Sequence, residues 1–247
     1  MTNAEWSAVA LWSRKNGTIP RGNNNYGCDI TYKNETGRLT NAAAVLGSSG
    51  TARTATGSGP ATWSHDHTPD GIFDLNGNVH EWVGGFRIVD GEIQVLADND
   101  AADNTKDQSD VSTLWRAIAS AGGSLVDPGA GGTLKYDATG ETGAGSVQID
   151  TVIDSQSDGT TYAAGEFESM AADAGITVPE RMLQLGLAPA GSALGGDYIY
   201  VRNVGERLPL RGGSWGNGAY AGVFRLSLAY ARSSASSDTG FRPAFVL

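Results

Sequence analysis

The sequence predicts an α+β fold of few helices and many short strands, loop-rich, with a large insertion rich in Gly, Ala and Asp. Three observations predict it. "TNAEWSAVALWS" (2–13) places Thr2 and Glu5 at capping-box spacing and gives Trp6, Val9, Ala10 and Leu11 a helical stripe. "FRIV" and "EIQVLA" flank Asp90-Gly91, a two-residue hairpin signal. In "VFRLSLAY" (223–230), Phe224, Leu226 and Leu228 alternate with Arg225, Ser227 and Ala229, which predicts a strand with one face buried and the other in water. The 35 glycines, about twice the usual share of roughly 7%, fit long loops.

The remaining elements follow in chain order. "RKNGTIPRGNNNYG" (14–27) breaks the first helix, and residues 28–62 are small and polar apart from "LTNAAAVLG" (39–47). Residues 71–98 read as a tight turn followed by the hairpin. Beyond them the chain turns acidic, then rich in small residues. Helices are predicted in "VSTLWRAIASAGG" (111–123), from Val111, Leu114, Trp115 and Ile118, and in "VPERMLQLGLAP" (178–189), with Pro179 suited to the first helical position. "GDYIYVRNV", "RLPLRGGSW" and "GFRPAFVL" return to strand character. This organisation predicts one domain over 1–247, its core made of 1–96 and 197–247, with 97–196 an insertion packed on that core.

Composition removes several function classes. With a net charge of −10 and four lysines, the chain lacks the basic surface that nucleic acid or an anionic membrane requires. No apolar run approaches the roughly 20 residues of a membrane span. The acidic run "LADNDAADNTKDQSD" (96–110) reads as a solvated loop. Cys28 stands alone, so neither an intrachain disulfide nor a multi-cysteine zinc site can form. No signal-peptide pattern opens the chain, which is expected to fold in a reducing compartment. "HDH" (65–67) would put two imidazoles on one face of a strand, but without further ligands nearby it reads as a solvated loop. "GSGPA" and "GAGG" lack the lysine of a phosphate-binding loop.

Three pieces occur in an informative order: "TNAEW" (2–6), "GIFDLNGNVHEW" (71–82) and "LRGGSW…GFRPAF" (210–215 and 240–245). Together they resemble the formylglycine-generating-enzyme (sulfatase-modifying factor) branch of the C-type lectin fold. His80 stands where that family has Trp. The chain starts without the strand that precedes this helix in the family, so the expectation is that Met1 is not the natural start or that the strand is supplied differently.

Within that fold, "LRGGSWGNGAYAGVFRLSLAYARSSASSDTGFRPAF" is similar to the variable region of proteins diversified by retroelements. In that family an error-prone reverse transcriptase randomises adenines of a template repeat. The resemblance implies a frame of Arg-Gly-Gly-Ser-Trp, Ala-Gly-Val-Phe, Leu-x-Leu, Ala-Arg-Ser and Gly-Phe-Arg-Pro-Ala, within a variable region of about 211–245. It implies diversified slots at Gly216, Asn217, Tyr220, Arg225, Ser227, Ala229, Tyr230, Ser234, Ser236, Ser237, Asp238 and Thr239. Residues 216–240 contain no Lys, Glu, Gln, Met or Trp, the types that randomised AAC or AAT codons cannot encode. Tyr220, Tyr230 and Arg225 are then the expected energetic contributors, since Tyr and Arg dominate interface hot spots.

The expected function is a non-catalytic binding protein of a phage or its host, acting on a virion tail or a cell surface. Its partner would be a protein or glycan ligand on a cell. A fixed lectin-like or virion domain with one partner is the alternative. The family's copper-dependent oxidation needs two cysteines near positions now held by Asn217 and Gly222, and a related iron-dependent branch needs three histidines from an added helical domain; neither set is present. The resemblance also implies a structural calcium ion on the side chains of Asp74 and Glu81 and the carbonyls of Gly77 and Val79. The alternative is a turn held by side-chain to backbone hydrogen bonds, with Glu81 paired to an arginine.

Overall fold

A computed structural model describes residues 1–244. It contains a mostly β, mixed sheet with a few short helices and long loops. The first helix, α1 (Asn3–Asn16), begins as its sequence predicts. The Thr2 hydroxyl accepts from the Glu5 amide at 3.2 Å, and the Glu5 carboxylate accepts from the Thr2 amide at 2.8 Å. Gly17, at φ 69°, ends the helix in the left-handed conformation that suits glycine. Trp6 and Ala10 are buried, and the Trp6 indole donates to the Val223 carbonyl at 2.7 Å, joining the two ends of the chain.

The strands β1 (His80–Trp82), β2 (Phe86–Val89) and β3 (Glu92–Leu96) follow. Asp90 and Gly91, at φ 45° and 80°, form the predicted tight turn, and Val89 pairs with Glu92. Late in the chain lie β10 (Tyr198–Val201), β11 (Glu206–Gly212), β12 (Gly222–Tyr230) and β13 (Thr239–Phe241). β12 pairs antiparallel with β11 and parallel with β10, and β11 also holds β2 and β1. β13 lies parallel to β1. Residues 242–244 of the predicted "GFRPAFVL" strand are not in a strand, and 245–247 lie outside the described residues.

The stretch 97–196 builds β4 (Trp115–Ile118), β5 (Leu125–Val126), β6 (Lys135–Ala138), β7 (Val147–Asp150), β8 (Ala163–Glu166), β9 (Ala171–Ala172) and α2 (Glu180–Gln184). β4 and β6 both pair with β3, and β8 extends the sheet beyond β10. Ile118, Tyr136, Ile149, Phe167 and Met182 share one apolar cluster with Trp6, Phe86 and Phe224. The stretch therefore supplies core as well as loops.

Two helix predictions are corrected here. Residues 115–118 are a strand, not a helix. Trp115, Ala117 and Ile118 are all buried, so both faces are covered and apolar spacing cannot tell the two periods apart. Val111, which a helix would have put on its buried stripe, is exposed. The second predicted helix shrinks to five residues, with Pro179 at the cap and Gly186 in the left-handed region just beyond its end.

Candidate binding face

The C-terminal block is anchored from below by two arginines. Arg211 on β11 is fully buried and donates to the Asn3 side chain at 2.6 and 3.1 Å and to the Gly186 carbonyl at 3.0 Å. Burial pushes its pKa down to about 10. Arg242 forms a two-point ion pair with Glu81 and also donates to the carbonyls of Phe73 and Asp74 at 3.0 and 3.2 Å. Between them, Gly212 and Gly213 turn the chain at φ 82° and 83°. A Cβ on Gly222 would lie 1.9 Å from an Asp197 carboxylate oxygen, so this start of β12 admits no larger residue without rearrangement.

Burial separates frame from most slots up to Leu228, but beyond Tyr230 it does not, since Arg232, Ser233, Phe241, Pro243 and Ala244 of the frame are exposed. Arg211 to Trp215, Ala221 to Phe224, Leu226 and Leu228 are all buried. Gly216, Tyr220, Tyr230, Ser236 and Ser237 are exposed, and Asn217, Ala229, Ser234, Asp238 and Thr239 are half-buried. Asn217 also holds its turn, its side chain accepting from the Ser214 amide at 2.7 Å.

Arg225 and Ser227 depart from the expected pattern. They do not face water: they are 5% and 2% exposed. The alternation is present, but the second face is covered too. Ser227 lies between Leu210 of β11 and Tyr200 of β10. The Arg225 guanidinium sits 4.6 Å from the centre of the Tyr200 ring and donates to the Tyr220 carbonyl at 2.9 Å, while its Nε has no partner among the described residues. Arg225 is thus closed off from direct contact with a ligand.

Two buried groups beside Arg225 respond to it. Burial, assisted by the Arg225 charge, pushes His80 down to about 4. Burial holds Asp197 well above the usual carboxylate range, opposed by the Phe224 amide, which donates to it at 2.7 Å, and by Arg225. No ion pair links Asp197 to Arg225 among the described residues.

Sequence reasoning missed the tyrosines next to this strand. Tyr198 and Tyr200 project from β10 on the face opposite the buried Ile199 and Val201, and Tyr162 just precedes β8. Tyr162, Tyr200, Tyr198 and Tyr220 form a row with successive ring-centre spacings of 5.7, 5.9 and 4.1 Å. The signal was the alternation in "YIYV". Its significance depends on the pairing of Tyr200 with Ser227, which lies outside the local pattern.

The expected metal positions behave differently from one another. Asp74, at φ 61°, accepts from the Gly57 amide at 3.0 Å through one oxygen, and its other oxygen is buried without a partner among the described residues. Burial raises its pKa. Gly77 donates its amide to the Gly212 carbonyl, and Val79 is half-buried. Both Glu81 oxygens serve Arg242, the arginine pairing that the sequence left open. Within "HDH", His65 accepts from the Ile72 amide at 2.9 Å and packs against Trp12, while His67 lies in a left-handed turn. Among the described residues, the one group of three acids, histidines or cysteines placed to hold a metal is Asp137, Asp150 and Asp154, which sequence reasoning also missed. Asp137 already accepts from the Asp154 and Ser155 amides and the Asn203 side chain, and Asp150 from the Thr151 and Val152 amides. The single thiol, Cys28, is buried against the Asn25 carbonyl.

The chain matches no protein-family model and no curated protein. Its geometry and chemistry therefore carry the functional reading.

Proposed function

We propose that this chain is a non-catalytic binding protein of the C-type lectin fold, in the formylglycine-generating-enzyme branch, whose C-terminal surface is diversified by a retroelement. Its ligand would be a protein or glycan on a cell surface, met from a phage tail or from the surface of a host cell. One observation carries the reading. Frame residues from Arg211 to Leu228 are buried, while ten of the twelve slots, like the frame beyond Tyr230, are exposed or half-buried. Replacement at an exposed site usually changes stability by no more than about 0.5 kcal/mol, so such positions can vary at little cost to the fold. Tyr220 and Tyr230, 48% and 42% exposed, offer large contact area for little lost side-chain entropy. In this reading, the Arg242–Glu81 pair braces the turn beneath the face.

The test is population sequencing of the gene's 3′ end and the DNA downstream. Expected are substitutions confined to slots between Gly216 and Thr239, next to a near-copy repeat and a reverse transcriptase gene. An invariant region without a repeat would remove the diversified reading. The second reading, a fixed module for one glycan or virion partner, draws support from the burial of Arg225 and Ser227, where free variation has least room.

A further inference from the structure

The row of tyrosines beside β12 includes three residues from outside the diversified block. Ile199 and Val201 pack into the core, so Tyr198 and Tyr200 must project from the opposite face of β10. That face continues into β12, where Tyr200 pairs with Ser227. Tyr162 extends the row from the β8 side and is 47% exposed. Tyr220 closes the other end, its ring centre 4.1 Å from that of Tyr198. Arg225 lies against Tyr200 and holds the main chain of Tyr220, which ties the two halves of the row together.

Resting on the binding-face reading above, we infer that Tyr162, Tyr198 and Tyr200 form a constant aromatic half of the binding face and that its occupant is the surface of a folded protein. The ring planes are tilted by 57°, 39° and 43°, so neighbouring rings cover part of one another's faces. The inner rings, Tyr198 and Tyr200, are half-buried and each flanked by two others, so they offer edges and hydroxyls in place of the open, flat ring on which a sugar stacks. Constant tyrosines would supply affinity for many partners, and the slots would select among them.

The test displays the full chain on yeast with its ten exposed or half-buried slots randomised. The library is selected separately against lysozyme, streptavidin and soluble mannan. The expected result is clones for both proteins in which joint replacement of Tyr162, Tyr198 and Tyr200 by Ser weakens binding at least tenfold. Tyr162→Ser alone, at the exposed end of the row, should weaken it about threefold with display level and protease resistance unchanged. Protein-binding clones indifferent to both changes would overturn this inference and leave the variable face standing. Clones for mannan alone would overturn the protein assignment, and a library yielding no binder would remove both this inference and the reading beneath it.

Discussion

The strand β12 and the loop that follows it carry slots of the same proposed kind in opposite physical settings. On the strand, Arg225 and Ser227 are buried like the frame residues Phe224, Leu226 and Leu228 that alternate with them. In the loop, Ser236 and Ser237 are exposed, and Ser234 and Asp238 are half-buried. A period-2 alternation makes one face of a strand replaceable only if that face meets water. Here β10 and β11 bring Tyr200 and Leu210 against it, so Arg225 and Ser227 are part of the packing, whereas Ala229 and Tyr230 at the strand's end and the loop slots are not.

Substitutions can break or sharpen this contrast. The core face sets the upper limit: Leu226→Ala should cost about 3 kcal/mol, by chemical denaturation, through lost burial and a cavity. Arg225→Ala should cost about 2 kcal/mol, since it opens space beneath Tyr200 and leaves the Tyr220 carbonyl without its donor. Arg225→Met fills that space and removes a buried charge that has no ion pair among the described residues, so it should stay within about 1 kcal/mol of the parent. Ser227→Phe should lose roughly 1–3 kcal/mol by overpacking against Leu210 and Tyr200.

Asp197 gives the contrast a pH signature. Its folded pKa is raised, so the folded state keeps a proton that the unfolded chain loses above the ordinary carboxyl value of 3.8. The associated stability is complete below that value and is lost as pH rises toward the raised one. Relative to Asp197→Asn, the parent should therefore lose stability between pH 4 and pH 7. A relative gain would mean that Arg225 holds Asp197 ionised. The smallest effects belong to the exposed slots: Tyr220→Ala should cost about 1 kcal/mol through its lost packing on Tyr198, and Ser237→Ala less than about 0.5 kcal/mol.

Local signals were the legible ones. The capping box at Thr2 and Glu5, the Asp90-Gly91 turn and the inward phase of Phe224, Leu226 and Leu228 all lie within a few residues of the elements they specify. What covers the other face of β12 was not legible, because Tyr200 and Leu210 arrive there by pairing between separated segments. The same limit hid the Asp137, Asp150 and Asp154 cluster, gathered by β6, β7 and the loop after them. It also hid β4, whose two buried faces erase the alternation that marks a half-exposed strand.

The most direct measurement is saturation mutagenesis of residues 216–239 in the full chain, read by protease resistance on the cell surface. The account predicts broad tolerance at Gly216, Tyr220, Tyr230, Ser236 and Ser237, and narrow tolerance at Arg225 and Ser227 close to that of Leu226. Tolerance at Arg225 and Ser227 equal to that at the exposed slots would contradict the division between packed strand positions and a replaceable surface.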